Sequence, residues 1–124
     1  MNPHERQYVD SLLGVAAERL VERLVHRAGS AIDARRRLSE PGGPDALGVP
    51  AFVDLFFADS LLDNPAGACV VLQAFADAPM PPVAGATIGP ALVAASKAAF
   101  LEVLAVKVEE ALDVAALYEG EVSR

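Results

Sequence analysis

The sequence predicts an all-α fold, a compact helical bundle of two long and two short helices with an apolar, proline-rich loop. Three observations predict it. Apolar residues recur every three or four positions, prolines and glycines separate these stretches, and no strand-like alternation persists. With 124 residues and no internal repeat, the chain is expected to form a single all-helical domain over residues 1–124.

The first long helix is predicted from Pro3 to about Leu38. Proline suits the first turn of a helix, and apolar side chains then follow at four-residue steps. Gly14 and Gly29 are its weakest positions, because glycine is a poor helix former. The stretch "SEPGGPDALGVP" ends this helix and predicts a connector over residues 39–49.

Two short helices, each opened by a proline, are predicted at residues 50–62 and 65–76. The first is apolar on nearly all sides, which is typical of a buried helix. Asp54 interrupts it and is therefore expected to be at least half buried and paired with a basic or hydrogen-bonding group, an arginine of the first helix being one option.

The last helix is predicted to run without a break over residues 90–119, a length of about 45 Å. It carries two apolar rows, which indicate either two covered sides or one wide core face. One row contains Val93, Phe100, Leu104, Ala111, Val114 and Tyr118, and the other contains Ala94, Ala98, Leu101, Ala105, Val108, Leu112 and Ala115.

The loop "APMPPVAGATIGP", residues 78–90, has four prolines and no charge. Prolines restrict its backbone and lower the entropy lost when it becomes ordered. Such a loop can seal the end of the bundle, or it can insert into a neighbouring subunit as a preformed anchor. Both interpretations stay open at this stage.

The net charge of −7 is unevenly distributed. Residues 1–40 contain seven basic and six acidic residues, and residues 41–124 contain three and eleven. An acidic body argues against nucleic-acid binding, whereas the asymmetry suits head-to-tail contacts between subunits. The most apolar window contains Lys97 and Glu102, so no membrane span is expected. Because no signal peptide is visible and Cys69 is the only cysteine, the sequence favours a cytoplasmic location.

The sequence contains no set of residues typical of a catalytic, metal or cofactor site. Glu22 and His26 share a helix face but are too few to hold a metal, and Asp59 with Asp63 lacks the neighbouring cations that a phosphate substrate needs. The only basic cluster predicts a solvated helix end, with an anion or acidic-protein contact as the alternative. That cluster contains Arg19, Arg23, Arg27, Arg35, Arg36 and Arg37.

Three functions follow in order of preference. The first is a non-catalytic subunit that self-associates or serves as an adaptor or structural part of a larger assembly. Its predicted interface contains Met80, Val83, Ile88, Leu101, Val108 and Leu112.

The second function is a small-molecule-binding regulatory domain with an aromatic pocket between helices. That pocket would be lined by Phe52, Phe56, Phe57, Phe75, Phe100 and Asp54. The remote third is a carboxylate-dependent enzyme that uses Asp54, Asp59 or the pair Glu22 and His26.

Overall fold

Five helices, described by a computed structural model for residues 3–75 and 88–122, make up the fold; the side chains of residues 88, 121 and 122 are not described. The all-α prediction is confirmed, with one helix more than expected. The helices are α1 (Pro3–Ala28), α2 (Ala31–Leu38), α3 (Pro44–Asp59), α4 (Pro65–Phe75) and α5 (Ile88–Val122).

The predicted first helix is in fact two helices, because the chain breaks at Gly29. Gly29 adopts φ +90°, a conformation that glycine reaches without steric cost. The next residue, Ser30, caps α2, since its side chain accepts a hydrogen bond from the Asp33 amide at 3.1 Å. The single helix predicted up to Leu38 is therefore wrong at residues 29–30.

A second side chain, a carboxylate from the last helix, also caps α2. Glu119 of α5 accepts hydrogen bonds from the backbone amides of Ala31, at 2.6 Å, and Ile32, at 3.2 Å. Together with Ser30, it satisfies the first three amides of α2, which have no partner within the helix. The negative charge also lies at the positive end of the helix dipole.

We expect Glu119→Gln to lower the free energy of unfolding by about 1–2 kcal/mol, because it removes the charge and one acceptor oxygen. Urea unfolding followed by circular dichroism measures the loss. Glu102→Gln, at an exposed position of the same helix, is the control and should change stability by less than about 0.5 kcal/mol. Equal effects of the two substitutions would contradict the capping role.

The third helix begins at Pro44, six residues earlier than predicted, and Pro50 lies inside it. Pro44 occupies the first helical position, which suits proline as well as Pro50 would have. The predicted connector over residues 39–49 therefore shrinks to residues 39–43.

α3 ends in a left-handed residue that is not glycine. Leu61 has φ 59° and its side chain is 78% exposed. The next amide, that of Leu62, donates to the Phe57 carbonyl at 3.0 Å, and the Asn64 side chain donates to the Leu61 carbonyl. This arrangement is a helix-ending turn at a position that glycine normally occupies.

We expect Leu61→Gly to raise the free energy of unfolding by about 0.5–1 kcal/mol, because it relieves the left-handed conformation and loses little buried surface. Leu61→Ala keeps the strained conformation and should leave stability nearly unchanged. Thermal and urea unfolding of the two variants compare them directly. A destabilised glycine variant would show that the leucine side chain has a packing role.

α4 and α5 follow the predictions closely. α4 begins at Pro65, with Asn64 as its cap, since the Asn64 side chain accepts from the Gly67 amide at 2.9 Å. α5 is one uninterrupted helix that extends slightly beyond the predicted residues 90–119.

The core is organised around α5, against which each of the other described helices packs. Its buried side chains recur at four-residue steps, and none of them is more than 4% exposed. Four residues turn about 400°, so each step shifts the row by about 40° around the helix. The row therefore contacts different neighbours at the two ends of α5. Its members are Leu92, Ser96, Phe100, Leu104, Val108 and Leu112.

This buried row corresponds to neither of the two predicted rows. It takes Phe100 and Leu104 from one and Val108 and Leu112 from the other. Tyr118, assigned to the first predicted row, is 65% exposed. The predicted rows followed straight lines along the helix, whereas the real contact row turns around it.

α1 and α5 run in the same direction. Near the C-terminal end of α5, Glu119 binds Ala31, which lies just after the end of α1. At the opposite end, Tyr8 of α1 lines a groove with Gly67 of α4. Gly89, at the start of α5, lies beside Pro65 of the same helix α4.

Candidate functional site

The five phenylalanines predicted to line a pocket do come together, but they pack against one another. The ring centroid of Phe100 lies 5.2 Å from that of Phe57, 5.8 Å from that of Phe56 and 6.0 Å from that of Phe75. Phe52 stacks on Phe56 at 6.2 Å. Phe57 and Phe100 are fully buried. These rings fill the core where the sequence had predicted a binding pocket.

Asp54 does not have the buried position predicted for it, since its side chain is 64% exposed. It does pair with a base, but the partner is Lys97 of α5, at 3.4 Å, and not an arginine of the first helix. The helix that was expected to be buried on most sides therefore has an exposed face, which also carries Leu55 at 64% exposure.

Lys97 joins α5 to α3 and to the turn that follows α3. Its Nζ lies 3.0 Å from Asp63 and 3.4 Å from Asp54. The hydrogen bond to Asp63 raises the pKa of Lys97 above its ordinary value; burial opposes this rise, and Asp54 adds to it. The amine is therefore protonated at neutral pH, which makes it a poor nucleophile or general base. This cluster is an ion-pair clamp between helices, at the edge of an open groove.

The acid that sequence reasoning sought in α3 is Asp45, which is 2% exposed. Arg37 Nε lies 3.1 Å from its Oδ2, and Arg27 Nη2 lies 3.7 Å from its Oδ1. Neither carboxylate oxygen has an aligned hydrogen bond despite these short distances. In the sequence, Asp45 falls within the predicted connector over residues 39–49, because the helix was predicted to begin at Pro50.

Most arginines of the basic cluster form ion pairs with acidic residues of the same chain. Arg35 pairs with Asp113 at 2.9 Å, and Arg36 pairs with Asp33 at 3.1 Å. Arg27 and Arg37 face the buried carboxylate described above. These contacts favour a structural role for those arginines over an anion-binding role.

The predicted interface divides into three groups. Val108 and Leu112 are 1% and 0% exposed, so they belong to the core and are not open to a partner in this fold. Leu101 is half-buried and packs against the same core. Met80 and Val83 lie outside the described residues, and the side chain of Ile88 is also not described.

Apolar side chains are nevertheless exposed on the outer face of α5. Val106, Val114 and Leu117 are 52%, 54% and 70% exposed. Together with three further residues, at steps of four, three, four, four and three, they form a row that is called the α5 stripe. The α5 stripe consists of Ala99, Val103, Val106, Glu110, Val114 and Leu117.

A second stripe lies on α1 and begins with Tyr8, which is 52% exposed. At steps of four, three and four it continues through Leu12, Val15 and Arg19. Val15 is 40% exposed and Arg19 is exposed. Tyr8, Leu12, Val15 and Arg19 are called the α1 stripe below.

One cavity, of about 230 Å³, lies between α1, α2, α3 and α5. Its walls are apolar apart from Glu109, and none of the five phenylalanines lines it. Sequence reasoning missed this cavity because its walls come from four helices whose relative placement no local pattern records.

Within the described part of the chain, no three histidine, cysteine, aspartate or glutamate side chains converge as metal ligands. Of the helices described, none has the length and apolar character needed to span a membrane. No protein-family model, curated protein or solved structure matches the chain. The structure thus offers two partly exposed stripes and one largely apolar cavity as candidate functional features.

Proposed function

We propose that this protein is a non-catalytic subunit that assembles with further copies of itself, the α1 stripe of one copy packing on the α5 stripe of the next. The observation that carries the proposal is the exposure of Val106, Val114 and Leu117 on one face of the longest helix. A heptad-like row of apolar residues is typical of a helix that packs against another helix.

The polar residues within the stripes indicate which surfaces meet. Glu110 lies in the middle of the α5 stripe, so pairing two α5 stripes would bring acidic residues together. The α1 stripe instead ends in Arg19, whose charge complements Glu110. Packing of the α1 stripe of one copy on the α5 stripe of another therefore gives both Arg19 and Glu110 a partner of opposite charge.

The spacing of the two stripes also matches. Arg19 follows Tyr8 by eleven residues, and Glu110 follows Ala99 by the same eleven residues. With the helices parallel, Tyr8 faces Ala99, which pairs a large side chain with a small one. At the other end of the contact, Arg19 faces Glu110, which pairs a base with an acid. Two valines, Val15 and Val106, would then meet between these pairs.

This contact uses different surfaces on the two partners and therefore joins subunits head to tail. Because α1 and α5 are already parallel within one chain, copies related by rotation about an axis parallel to these helices keep the contact parallel. Such a rotation closes into a ring when its angle divides a full turn evenly. We expect each subunit to bury about 800 Å² per contact, the size of an ordinary stable interface.

Sedimentation velocity and light scattering over a range of protein concentrations test self-association. We expect a multiple of the monomer mass, and we expect Val106→Asp, at the position that faces Val15 in this register, to return the protein to monomer without loss of helical circular dichroism. Leu47→Asp is the matched control, since Leu47 is 66% exposed but lies on α3, outside both stripes. A wild-type monomer at the highest concentrations would overturn the proposal.

Charge reversal tests the pairing of the stripes. Arg19→Glu alone and Glu110→Arg alone should each weaken assembly by about tenfold. The double variant carries both reversed charges on every subunit, so its assembly should recover. Failure to recover would reject the α1–α5 register even if the protein self-associates.

A further inference from the structure

Among the described residues that line the cavity between α1, α2, α3 and α5, Glu109 is the one with a polar side chain. Leu20, Val49, Leu101 and Ala105 contribute apolar wall. Two acceptors belong to residues of its wall, the backbone carbonyl of Ala46 and the carboxylate of Glu109. This feature is independent of the stripes through which assembly is proposed.

The first acceptor arises from Pro50, which lies inside α3. Proline has no amide hydrogen, so the carbonyl of Ala46, four residues earlier, lacks its normal helical donor. Ala46 and Pro50 both line the cavity. The Ala46 carbonyl is thus a backbone acceptor, without its helical donor, on a residue of the cavity wall, and a ligand that supplies a donor can use it.

The second acceptor is Glu109, whose side chain is 50% exposed. Its Oε2 lies 3.9 Å from Arg35 Nη2, whereas the same arginine binds Asp113 more closely, with Nε 2.9 Å from Oδ1. Glu109 thus retains acceptor capacity at the cavity wall. A carboxylate there favours a cationic ligand head over an anionic one.

The volume sets the size of the apolar part of the ligand. An enclosed apolar cavity of about 150 Å³ is large enough to bind benzene; this one measures about 230 Å³ and is partly open to solvent. We propose that the cavity binds a small primary amine whose apolar body has about six to eight carbon atoms. The ammonium group donates to Glu109 and to the Ala46 carbonyl, and the apolar body lies against Val49, Leu101 and Ala105.

Calorimetric titration of the full chain with hexylamine and phenethylamine tests this assignment, with hexanol and hexanoate as matched probes. We expect the amines to bind with dissociation constants between about 10 μM and 1 mM. Hexanol should bind about tenfold more weakly, and hexanoate should not bind measurably. Hexanoate binding as tightly as hexylamine would overturn the assignment of the ligand head.

Three variants and one control locate the site. Ala105→Leu fills the cavity and should weaken the binding of both amines and hexanol at least tenfold. Glu109→Gln should weaken amine binding about tenfold and leave hexanol unchanged, whereas Glu102→Gln, outside the cavity, should change neither. Pro50→Ala restores a donor to the Ala46 carbonyl and should weaken the binding of hexanol as well as of the amines.

Amide chemical shifts of the wild-type protein provide a test that requires no variant. On addition of hexylamine, the largest changes should occur at Leu38, Val49 and Ala105, which come from three different helices around the cavity. Changes confined to the groove beside Lys97 would overturn the proposal. Measuring mass with and without the amine separates this outcome from the state of assembly.

Discussion

Arg37→Met will lower the free energy of unfolding by about 3 kcal/mol, the largest effect that we expect from a single substitution. Asp45 is 2% exposed, and Arg37 is its nearer partner at 3.1 Å, so the substitution leaves the buried carboxylate facing only Arg27, at 3.7 Å. A buried charge that loses its partner retains its desolvation cost without the compensating attraction.

A double-mutant cycle separates this cost from the packing of the arginine side chain. Asp45→Asn removes the charge and should cost about 1 kcal/mol, and Arg37→Met in that background should cost less than about 1 kcal/mol. Urea unfolding of the four proteins gives the coupling energy. Additive effects would show that Arg37 stabilises the fold through its aliphatic chain, and they would contradict the electrostatic explanation.

Gly67→Ala will lower the free energy of unfolding by about 2–3 kcal/mol, although alanine is the better helix former. A methyl group at Gly67 would lie 2.6 Å from the Leu62 Cα and 3.1 Å from the Leu62 carbonyl carbon and oxygen. These are backbone atoms, so they cannot move aside as a flexible side chain would. The first turn of α4 would have to separate from the turn that precedes it.

Gly14→Ala is the matched control, because it makes the same change within a helix but has no atom within 4 Å of the added carbon. It should raise the free energy of unfolding by up to about 1 kcal/mol. Thermal unfolding of the two variants should therefore shift in opposite directions. A stabilised Gly67→Ala variant would show that the contact with Leu62 relaxes easily.

The sequence predicted correctly those helix ends that are determined by residues close to them in the chain. Asn64 and Pro65 predicted the start of α4, and the absence of glycine and proline from residues 91–119 predicted one long α5. The break at Gly29 and Ser30 also had a local signal, a glycine followed by a capping serine. The regular four-residue pattern on both sides of the break masked that signal.

The start of α3 was ambiguous because Pro44 and Pro50 are equally suited to a first helical turn. The difference lies in a tertiary contact, since Asp45 is enclosed by arginines from α1 and α2. Val108 and Leu112, which were predicted to be interface residues, are buried in the core for a related reason. A periodic row shows that one face is covered, but it does not show whether the cover comes from the same chain.

The central place of α5 has a consequence for the order in which structure can form. α3 and α4 are consecutive in the chain, yet within the described residues they do not pack against each other, and both pack against α5. The helices up to Phe75 therefore cannot form a complete hydrophobic core until residues 90–112 of α5 pack against them. The contacts of α5 with α1, α2 and α3 each close a long stretch of chain. Forming such contacts is slow compared with folding of a bundle in which packed helices are neighbours in sequence. Refolding should accordingly be limited by the docking of α5, and a nascent chain that still lacks this helix exposes the apolar surfaces of α3 and α4 to aggregation.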